Sequence, residues 1–429
     1  MDVLITNFLA YLAYAIWGFK KCPYMTVHNA LSAWFAFIAF MGVLSVWEGH
    51  YEMVFGNLKE LSYVPYVLCF ISFLFLVYPL RKLNYKNISL LNFPSLEDKR
   101  IYNMLLIPFF FLILYTIVYI PSVVTALTMG DISEVYTTQR IEGDDLYKYN
   151  GAQLLAISIG RKFFNWFFGI LIFYSLWNLD RLKRNKRYKL TLILMFVSAI
   201  APYFLRTIAT GGRGGFVFFS AKIVFVLLPL WGYLSGNLRK NLLKFGTIIL
   251  ALGLVYSISM TIARLYSGNS VETPLSSIIR YFGEPFPNLG NNLWGEVKHY
   301  LMGHRMFPEL FGYSQIAENS QYDNFRLWSS ICGVAVHNYK TMYGDFYLEF
   351  GPFWAMIIIA LMGIMMNFYI KKKSLSFTQL PLFSYYVDIC VTAPLWFNRR
   401  NTGDLLIVIQ CLILSWFLSK IINKRKVIS

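Results

Sequence analysis

Long apolar runs separated by short polar stretches recur from one end of this chain to the other. A helix that crosses a bilayer needs about 20 consecutive apolar residues. The runs therefore predict about eleven membrane-spanning helices, at 3–19, 29–47, 63–80, 101–127, 152–177, 190–208, 214–234, 245–265, 343–370, 379–398 and 403–419.

Composition agrees with this pattern. Hydrophobic residues make up 57% of the chain and charged residues 14%, and the mean hydropathy is +0.50. Soluble domains carry about 25% charged residues. We expect an all-α polytopic integral membrane protein with one large extracytoplasmic loop. It divides into 1–265 (eight helices), the loop 266–342, and 343–429 (three helices and a basic tail).

The charges are distributed unevenly between the two sides of the predicted bundle. One alternate set of loops holds 23 Lys and Arg against three acids, whereas the opposite set holds 15 against 18. This asymmetry is the positive-inside signal of membrane proteins, and it accounts for the net charge of +17 without nucleic acid. It predicts a cytoplasmic C-terminus and an external N-terminus, with the first segment retained as a span. Of the five cysteines only Cys332 falls in the large loop, so no disulfide framework is expected.

The loop 266–342 is the longest interval without a membrane-grade apolar run. It carries three arginines and three of the five histidines among many aromatic residues. Loops this long are usually functional or disordered, and disordered segments are poor in aromatics. We therefore expect a folded cap that carries chemistry. Its arginines are Arg280, Arg305 and Arg326, and its histidines are His299, His304 and His337.

His337 stands just before the predicted helix 343–370. An imidazole with a pKa near 6.5 is a usable general base at neutral pH, and nearby cations would keep it neutral. A structural role is the alternative for any single histidine. We expect His337 to be the catalytic base.

A second outer loop, 128–151, combines five acids with Arg140, Tyr136 and Tyr147. Such residues suit hydrogen bonding to sugars and stacking on them. Asp144 and Asp145 are an alternative site for a divalent cation, since such ions prefer oxygen ligands. We expect no metal or other cofactor to be needed.

The glycine-rich turn 210–215 (Thr-Gly-Gly-Arg-Gly-Gly) joins two predicted helices with almost no loop. Glycine lets the backbone approach a ligand closely, and amides at a helix start favour anions. Arg206 and Arg213 lie at this turn, and guanidinium groups bind phosphate in a bidentate fork. The alternative is a tight hairpin whose arginines reach lipid headgroups.

Lys222 and Asp388 lie deeper in the predicted spans. Ionisable residues are energetically costly to bury in a membrane, so these two indicate function or pair with each other.

Taken together, many spans, a large late loop, a Gly-Arg-Gly turn and the span entry Tyr-Leu-Glu-Phe-Gly (347–351) resemble the O-antigen repeat-unit polymerases of the Wzy type. Those are related to the O-antigen ligases of the GT-C-like superfamily. The resemblance implies transfer of a growing glycan from undecaprenyl pyrophosphate to a lipid-linked repeat unit, at the outer face of a bacterial cytoplasmic membrane.

The resemblance also implies roles for particular residues. His337 matches the position of the base, and Arg213 and Arg280 match the arginines that hold pyrophosphate, with Arg305 and Arg326 as alternatives to Arg280. We expect Arg206, Arg213, Arg280 and Arg305 to bind pyrophosphate, and Arg264, Arg326, Tyr343 and Glu349 to contact substrate. The expected partners are the lipid-linked oligosaccharide, membrane lipids and a chain-length regulator protein.

The loops lack a Walker motif, so an external synthetic enzyme would draw its energy from its donor, and a lipid pyrophosphate is a suitable leaving group. Two alternatives stay open at this point. One is an O-antigen ligase or another lipid-linked glycosyltransferase, and the other is a flippase for lipid-linked sugars. Transporters often show paired repeats, and no internal repeat is evident here.

Overall fold

The computed structural model describes most of the chain. The described residues are 1–83, 89–91, 93–128, 149–182, 186–210, 214–267, 273–311, 321–370, 374–397 and 402–426.

The described residues are mostly helical, with only two three-residue strands, which confirms the predicted all-α class. The first ten helices are α1 (Asp2–Lys21), α2 (Val27–Trp47), α3 (Glu52–Phe55), α4 (Val64–Val77), α5 (Lys99–Thr128), α6 (Gly151–Arg181), α7 (Lys186–Ser198), α8 (Ala201–Ala209), α9 (Gly214–Trp231) and α10 (Gly236–Ser267). The other seven are α11 (Pro274–Gly283), α12 (Pro285–Asn288), α13 (Gln321–Cys332), α14 (Thr341–Phe350), α15 (Pro352–Tyr369), α16 (Leu380–Thr392) and α17 (Thr402–Lys426). Within these residues two short strands, β1 (Ser89–Leu91) and β2 (Ser374–Ser376), pair in parallel.

Eight helices in the described parts of the chain are long and apolar enough to cross a membrane. Two shorter apolar helices, Gly215–Trp231 and Leu406–Ile422, add to them. The chain therefore has the make-up of a multi-pass membrane protein. The finer prediction of eleven spans with one large external loop stays a prediction.

Several predicted spans are interrupted. The span predicted at 343–370 is two helices, because Gly351 adopts a φ of 81° and Pro352 starts α15. Glycine tolerates that left-handed conformation, and proline favours the first turn of the next helix. The span predicted at 190–208 breaks between α7 and α8, where Pro202 again lies in a first turn. The span predicted at 379–398 is helical only as far as Thr392.

The chain forms two compact units, and each is discontinuous in sequence. Unit 1 comprises 1–84, 268–372 and 388–405. Unit 2 comprises 85–267, 373–387 and 406–429.

Unit 1 is built on α1 and α2, which pack along each other. Tyr11, at the centre of α1, is fully buried, and its ring lies within 5.0–5.8 Å of the rings of Phe35, Phe73 and Phe286. Helix α15 packs on α4. A side chain at Gly363 of α15 would collide with the Phe75 carbonyl, so glycine permits the close approach.

Part of the segment predicted to be an outer loop packs along a candidate span. Helix α11 lies against α2, and the backbone of Gly283 approaches the Met41 carbonyl too closely for any side chain. Phe286 follows in α12 and is completely buried. Residues 274–288 are therefore part of the helical core of unit 1. Hydropathy missed them because each piece is shorter than a span.

Unit 2 packs α5 against α6. A capping box between Asn150 and Gln153 opens α6, satisfying amides at the helix start. Lys222 of α9 is buried, and its ammonium lies 4.6 Å from the centre of the Phe168 ring and 5.6 Å from that of Phe164. Aromatic faces attract cations, which lowers the cost of burying this charge. The proposed pairing of Lys222 with Asp388 stays a prediction.

Candidate functional site

An asparagine cluster (Asn288, Asn291 and Asn292) lies at the end of α12 and in the one-turn π-helix Leu289–Leu293. The Tyr51 hydroxyl donates to Asn288 Oδ1 at 2.9 Å and accepts from Asn292 Nδ2 at 2.9 Å and Asn291 Nδ2 at 3.3 Å. Burial raises the pKa of Tyr51, so its hydroxyl keeps its proton and donates. Single π-turns often mark functional positions in helices.

The asparagine cluster positions the segment that carries His337. Asn288 Nδ2 donates to the Tyr339 carbonyl at 3.0 Å, and the Tyr339 amide donates to Glu284 Oε1 at 3.4 Å. Glu284 also accepts from Arg280 Nη1 at 2.9 Å. The Arg280 side chain is 19% exposed and that of Glu284 only 7%. An arginine with access to solvent is therefore coupled, through one carboxylate, to the backbone two residues from His337.

His337 is exposed, and its ring lies 6.0 Å from that of Phe325. Partial burial, and then the positive charge of Lys340, lower the pKa of this imidazole below its usual 6.5. The side chain is accordingly neutral at pH 7. A neutral, accessible imidazole has the properties that a general base requires.

Lys340 is itself buried, and its ammonium donates to the Val336 carbonyl at 2.8 Å and the Ala335 carbonyl at 3.2 Å. These contacts fold the His337 segment back over the lysine. The Lys340 and Thr341 amides both donate to the Leu395 carbonyl, at 3.1 and 2.9 Å. The turn before α14 is thus hydrogen-bonded both to the preceding residues of its own segment and to the Leu395 carbonyl.

Thr341 adopts a φ of 68° although it is β-branched and buried. Such a conformation costs about 1–3 kcal/mol and persists only where the surroundings enforce it. Its hydroxyl accepts from the Gly344 amide at 3.1 Å, which is the contact of a helix cap. The strained residue therefore starts α14 immediately after the His337 segment.

Thr341→Asn should stabilise the protein, because asparagine tolerates the left-handed region and its oxygen can still accept from Gly344. We expect a gain of about 1 kcal/mol in the free energy of unfolding. Thr341→Val keeps the strain and removes the cap, so it should cost about 1–2 kcal/mol. Thermal unfolding of the purified protein in detergent compares the three. Equal losses in both variants would contradict this account.

An ion triad (Arg305, Asp345 and Glu349) lies at the other end of α14. Arg305 Nε donates to Glu349 Oε1 at 2.7 Å, and Nη2 donates to Asp345 Oδ1 at 3.2 Å. The arginine side chain is 6% exposed and both carboxylates are 0% exposed. Burial lowers the pKa of the guanidinium, but the two carboxylates outweigh it and raise that pKa overall.

The triad also binds backbone from distant parts of unit 1. Glu349 Oε2 accepts from the Gly303 amide at 3.0 Å, and Asp345 Oδ2 accepts from the Phe397 amide at 2.7 Å. Arg305 Nη1 is buried without a hydrogen-bond partner among the described residues. The guanidinium is thus engaged by carboxylates on two of its three nitrogens. That Arg305 binds pyrophosphate and Glu349 binds substrate stay predictions.

An aromatic pair connects the triad to the His337 segment. The rings of Tyr339 and Trp396 stack at 4.7 Å with an interplanar angle of 20°, and the Tyr339 hydroxyl donates to that of Tyr281 at 3.2 Å. Trp396 precedes Phe397, whose amide reaches the triad. The asparagine cluster, the His337 segment and the ion triad therefore form one connected candidate site within unit 1.

The remaining predicted residues are placed separately. Tyr343 is buried, its hydroxyl donates to the Pro352 carbonyl at 3.2 Å, and burial raises its pKa. Arg326 is exposed on α13, and Arg206 lies on α8 in unit 2. Arg213 falls outside the described residues, and so does the side chain of Arg264.

Most of the acidic loop also falls outside them, including Asp144 and Asp145. In the described parts of the chain no group of three or more His, Cys, Asp or Glu residues has the arrangement of a metal site.

Sequence reasoning missed Tyr51, the asparagine cluster, Glu284 and Asp345. One signal was present: Asp345 and Glu349 are four residues apart and must share a face of a helix, so together they present two carboxylates to one partner. The asparagines carried no comparable signal, because their common partner lies far away in sequence.

Comparison of the chain with known protein families, with curated proteins and with solved structures finds no match.

Proposed function

We propose that this protein is a membrane glycosyltransferase that polymerises lipid-linked oligosaccharide repeat units. In this proposal a growing glycan moves from undecaprenyl pyrophosphate to the terminal sugar of the next repeat unit. The observation that supports it best is the coupling of Arg280, through Glu284, to the backbone beside His337. It brings a candidate phosphate ligand and a candidate base into one cluster.

In the proposed reaction His337 accepts the proton of the attacking sugar hydroxyl. The bond from the donor sugar to the pyrophosphate oxygen breaks as the new glycosidic bond forms, with inversion at the anomeric carbon. The electron pair leaves with the pyrophosphate. Arginine cations would neutralise the charge that grows there, and Arg280 is the best placed of them in unit 1.

Arg206 and Arg213 remain proposed pyrophosphate ligands at the glycine-rich turn of unit 2. Arg305 keeps its proposed role as a pyrophosphate ligand, and Arg264, Arg326, Tyr343 and Glu349 keep their proposed substrate contacts. Arg305 and Glu349 would reach these ligands only if the ion triad opens. We further propose that the protein lies in the bacterial cytoplasmic membrane, with the site on the external face. A chain-length regulator protein is the proposed partner.

The test of this function is chain growth in a purified system. Wild-type protein in lipid vesicles, supplied with undecaprenyl-pyrophosphate-linked repeat units, should yield a ladder of longer glycans on a gel, with EDTA present. Boiled protein gives the background. Single units that never lengthen would reject the polymerase, and growth abolished by EDTA would instead point to a metal at Asp144 and Asp145.

The predicted orientation has its own test, based on the 23-to-3 excess of basic over acidic residues in one set of loops. Reporter fusions after residue 300 should report an external location, and fusions after residue 185 a cytoplasmic one. The positive-inside preference is the physical reason. A cytoplasmic signal after residue 300 would place the candidate site on the wrong side for this reaction.

One observation favours a flippase for lipid-linked sugars as a second candidate. Transporters often build their binding sites from discontinuous helices near the middle of the bilayer. Here the short helix α12 places Phe286 against Tyr11, the tenth residue of the 20-residue α1. Movement of a fluorescent lipid-linked sugar across vesicles that contain the protein, without chain growth, would support this candidate over the polymerase.

A further inference from the structure

A second cluster of charges lies at the C-terminal end of α1, away from the candidate site. The Lys21 ammonium is 4.5 Å and the Arg81 guanidinium 5.1 Å from the centre of the Trp17 ring. Arg81 is also 5.4 Å from the ring of Tyr78, at the end of α4. Two exposed cations therefore share one half-buried indole.

The indole packs on Tyr14, which is hydrogen-bonded to a buried polar pair, His28 and Asn29. The rings of Trp17 and Tyr14 pack at 5.4 Å, and the Tyr14 hydroxyl is hydrogen-bonded to His28 Nε2 at 3.0 Å. His28 and Asn29 are 3% and 1% exposed, and they bond to each other at 3.1 Å. Asn29 Nδ2 in turn donates to the carbonyls of the turn after α1. The position of Trp17 is thus fixed by the fold.

The two chain segments that form this cluster carry no acidic residue. The segments 14–29 and 78–83 hold four basic residues and no Asp or Glu. Lys82 is used internally, because its ammonium donates to the Asn367 carbonyl at 2.8 Å. In the described part of the chain Lys21 and Arg81 contact only aromatic rings, with neither a hydrogen bond nor an ion pair. An anion placed between them would relieve their mutual repulsion.

We propose that Trp17, Lys21 and Arg81 bind the phosphate group of an anionic phospholipid headgroup. The cluster lies at the ends of two helices apolar enough to cross a membrane. Headgroups lie at that level, and aromatic rings of Trp and Tyr are enriched there. Each cation near the surface contributes about 1 kcal/mol of attraction to anionic lipid, and a bidentate guanidinium holds phosphate well. This inference does not depend on the proposed enzymatic function.

The experiment measures lipid retention by the full-length protein. Wild type in nanodiscs of phosphatidylcholine with a minor fraction of phosphatidylglycerol is extracted into neutral detergent, and the retained lipids are counted by native mass spectrometry. We expect phosphatidylglycerol to be enriched on wild type. Lys21→Gln with Arg81→Gln should lower that affinity at least about tenfold, because two contacts of roughly 1 kcal/mol each are lost.

Lys20→Gln is the matched control, since Lys20 is exposed on the same helix end and contacts neither ring; it should change retention less than twofold. Single Lys21→Gln and Arg81→Gln variants, checked for monodispersity, show that any loss does not come from misfolding. An equal loss in Lys20→Gln, or full retention in the double variant, would overturn the site.

A competition experiment adds inorganic phosphate to the wild-type protein with bound lipid. Displacement of the lipid by millimolar phosphate would reject a headgroup site in favour of one for free phosphate.

Discussion

His337→Ala should lower the rate of chain growth by about 10²–10⁴-fold, the range that one positioned proton acceptor contributes. His337 is exposed and its pKa is lowered, so the native side chain is ready to accept a proton at neutral pH. The measurement is the initial rate of glycan extension from purified lipid-linked repeat units. The variant should still fold, because the described contacts of the segment run through Tyr339, Lys340 and Thr341.

Two other histidines serve as controls. His299 is exposed, and the His304 ring packs edge-on against that of Phe311, with 4.4 Å between the ring centres. Their alanine variants should stay within about tenfold of wild type, below the range of about 10²–10⁴-fold expected for loss of a base. Near wild-type growth by His337→Ala would remove it as the base. A loss equal to that of His304→Ala would make it a structural residue.

The pH dependence gives an independent check on the same residue. The base acts when neutral, and its pKa is lowered from 6.5 by burial and by Lys340. The rate should therefore be flat above pH about 6.5 and fall only as the pH drops below that value. A rate that is still rising between pH 7 and 8 would assign the base to another group. In the His337→Ala variant this fall in rate at low pH should be absent.

Arg305→Met should be among the most destabilising single changes in the chain. It removes the cation that Asp345 and Glu349, both 0% exposed, share in the described part of the chain. Removing one partner of a buried ion pair typically costs about 3–5 kcal/mol, because the remaining charge is uncompensated. We expect that loss in the free energy of unfolding, measured by urea denaturation in mixed micelles with a fluorescence readout.

The double variant Arg305→Met with Glu349→Met provides the control. It removes one uncompensated carboxylate along with the arginine, so it should be more stable than Arg305→Met alone. The difference between them isolates the charge effect from the loss of packing. If the double variant were less stable than the single one, the triad would act through its backbone contacts, chiefly that of Glu349 to Gly303.

The spanning helices could be predicted from the sequence because each depends on a local property, a sustained apolar run. All-α class and membrane character follow from that alone. The breaks within these spans were harder to predict. Gly351-Pro352 carries the usual end-and-start signal, but it lies within a continuous apolar stretch and was absorbed into one span. Helix length is set by such terminal signals as much as by hydropathy.

The candidate site was only partly predictable. His337 and Arg280 lie in the loop that composition singled out, and the structure places their segments together. Their connection through Glu284 and Asn288 could not be foreseen, since Asn288 pairs with Tyr51, 237 positions away. Contacts of that range depend on the tertiary arrangement and leave no periodic trace in a single sequence. Helices α11 and α12 were predicted as loop because each is shorter than a span, and their packing on α2 depends on the tertiary structure.

The discontinuity of unit 1 has a consequence for biosynthesis. Helices α1, α2 and α4 leave the ribosome first, but their packing partners α11, α12, α14 and α15 follow only after residues 85–267 of unit 2. At roughly 5–20 residues per second that delay is on the order of ten to forty seconds. During this interval the Tyr51 hydroxyl and the face of α2 around Met41 lack the neighbours that they contact in the folded protein. We therefore expect α1 and α2 to form an early helical hairpin whose surface receives the later helices of unit 1.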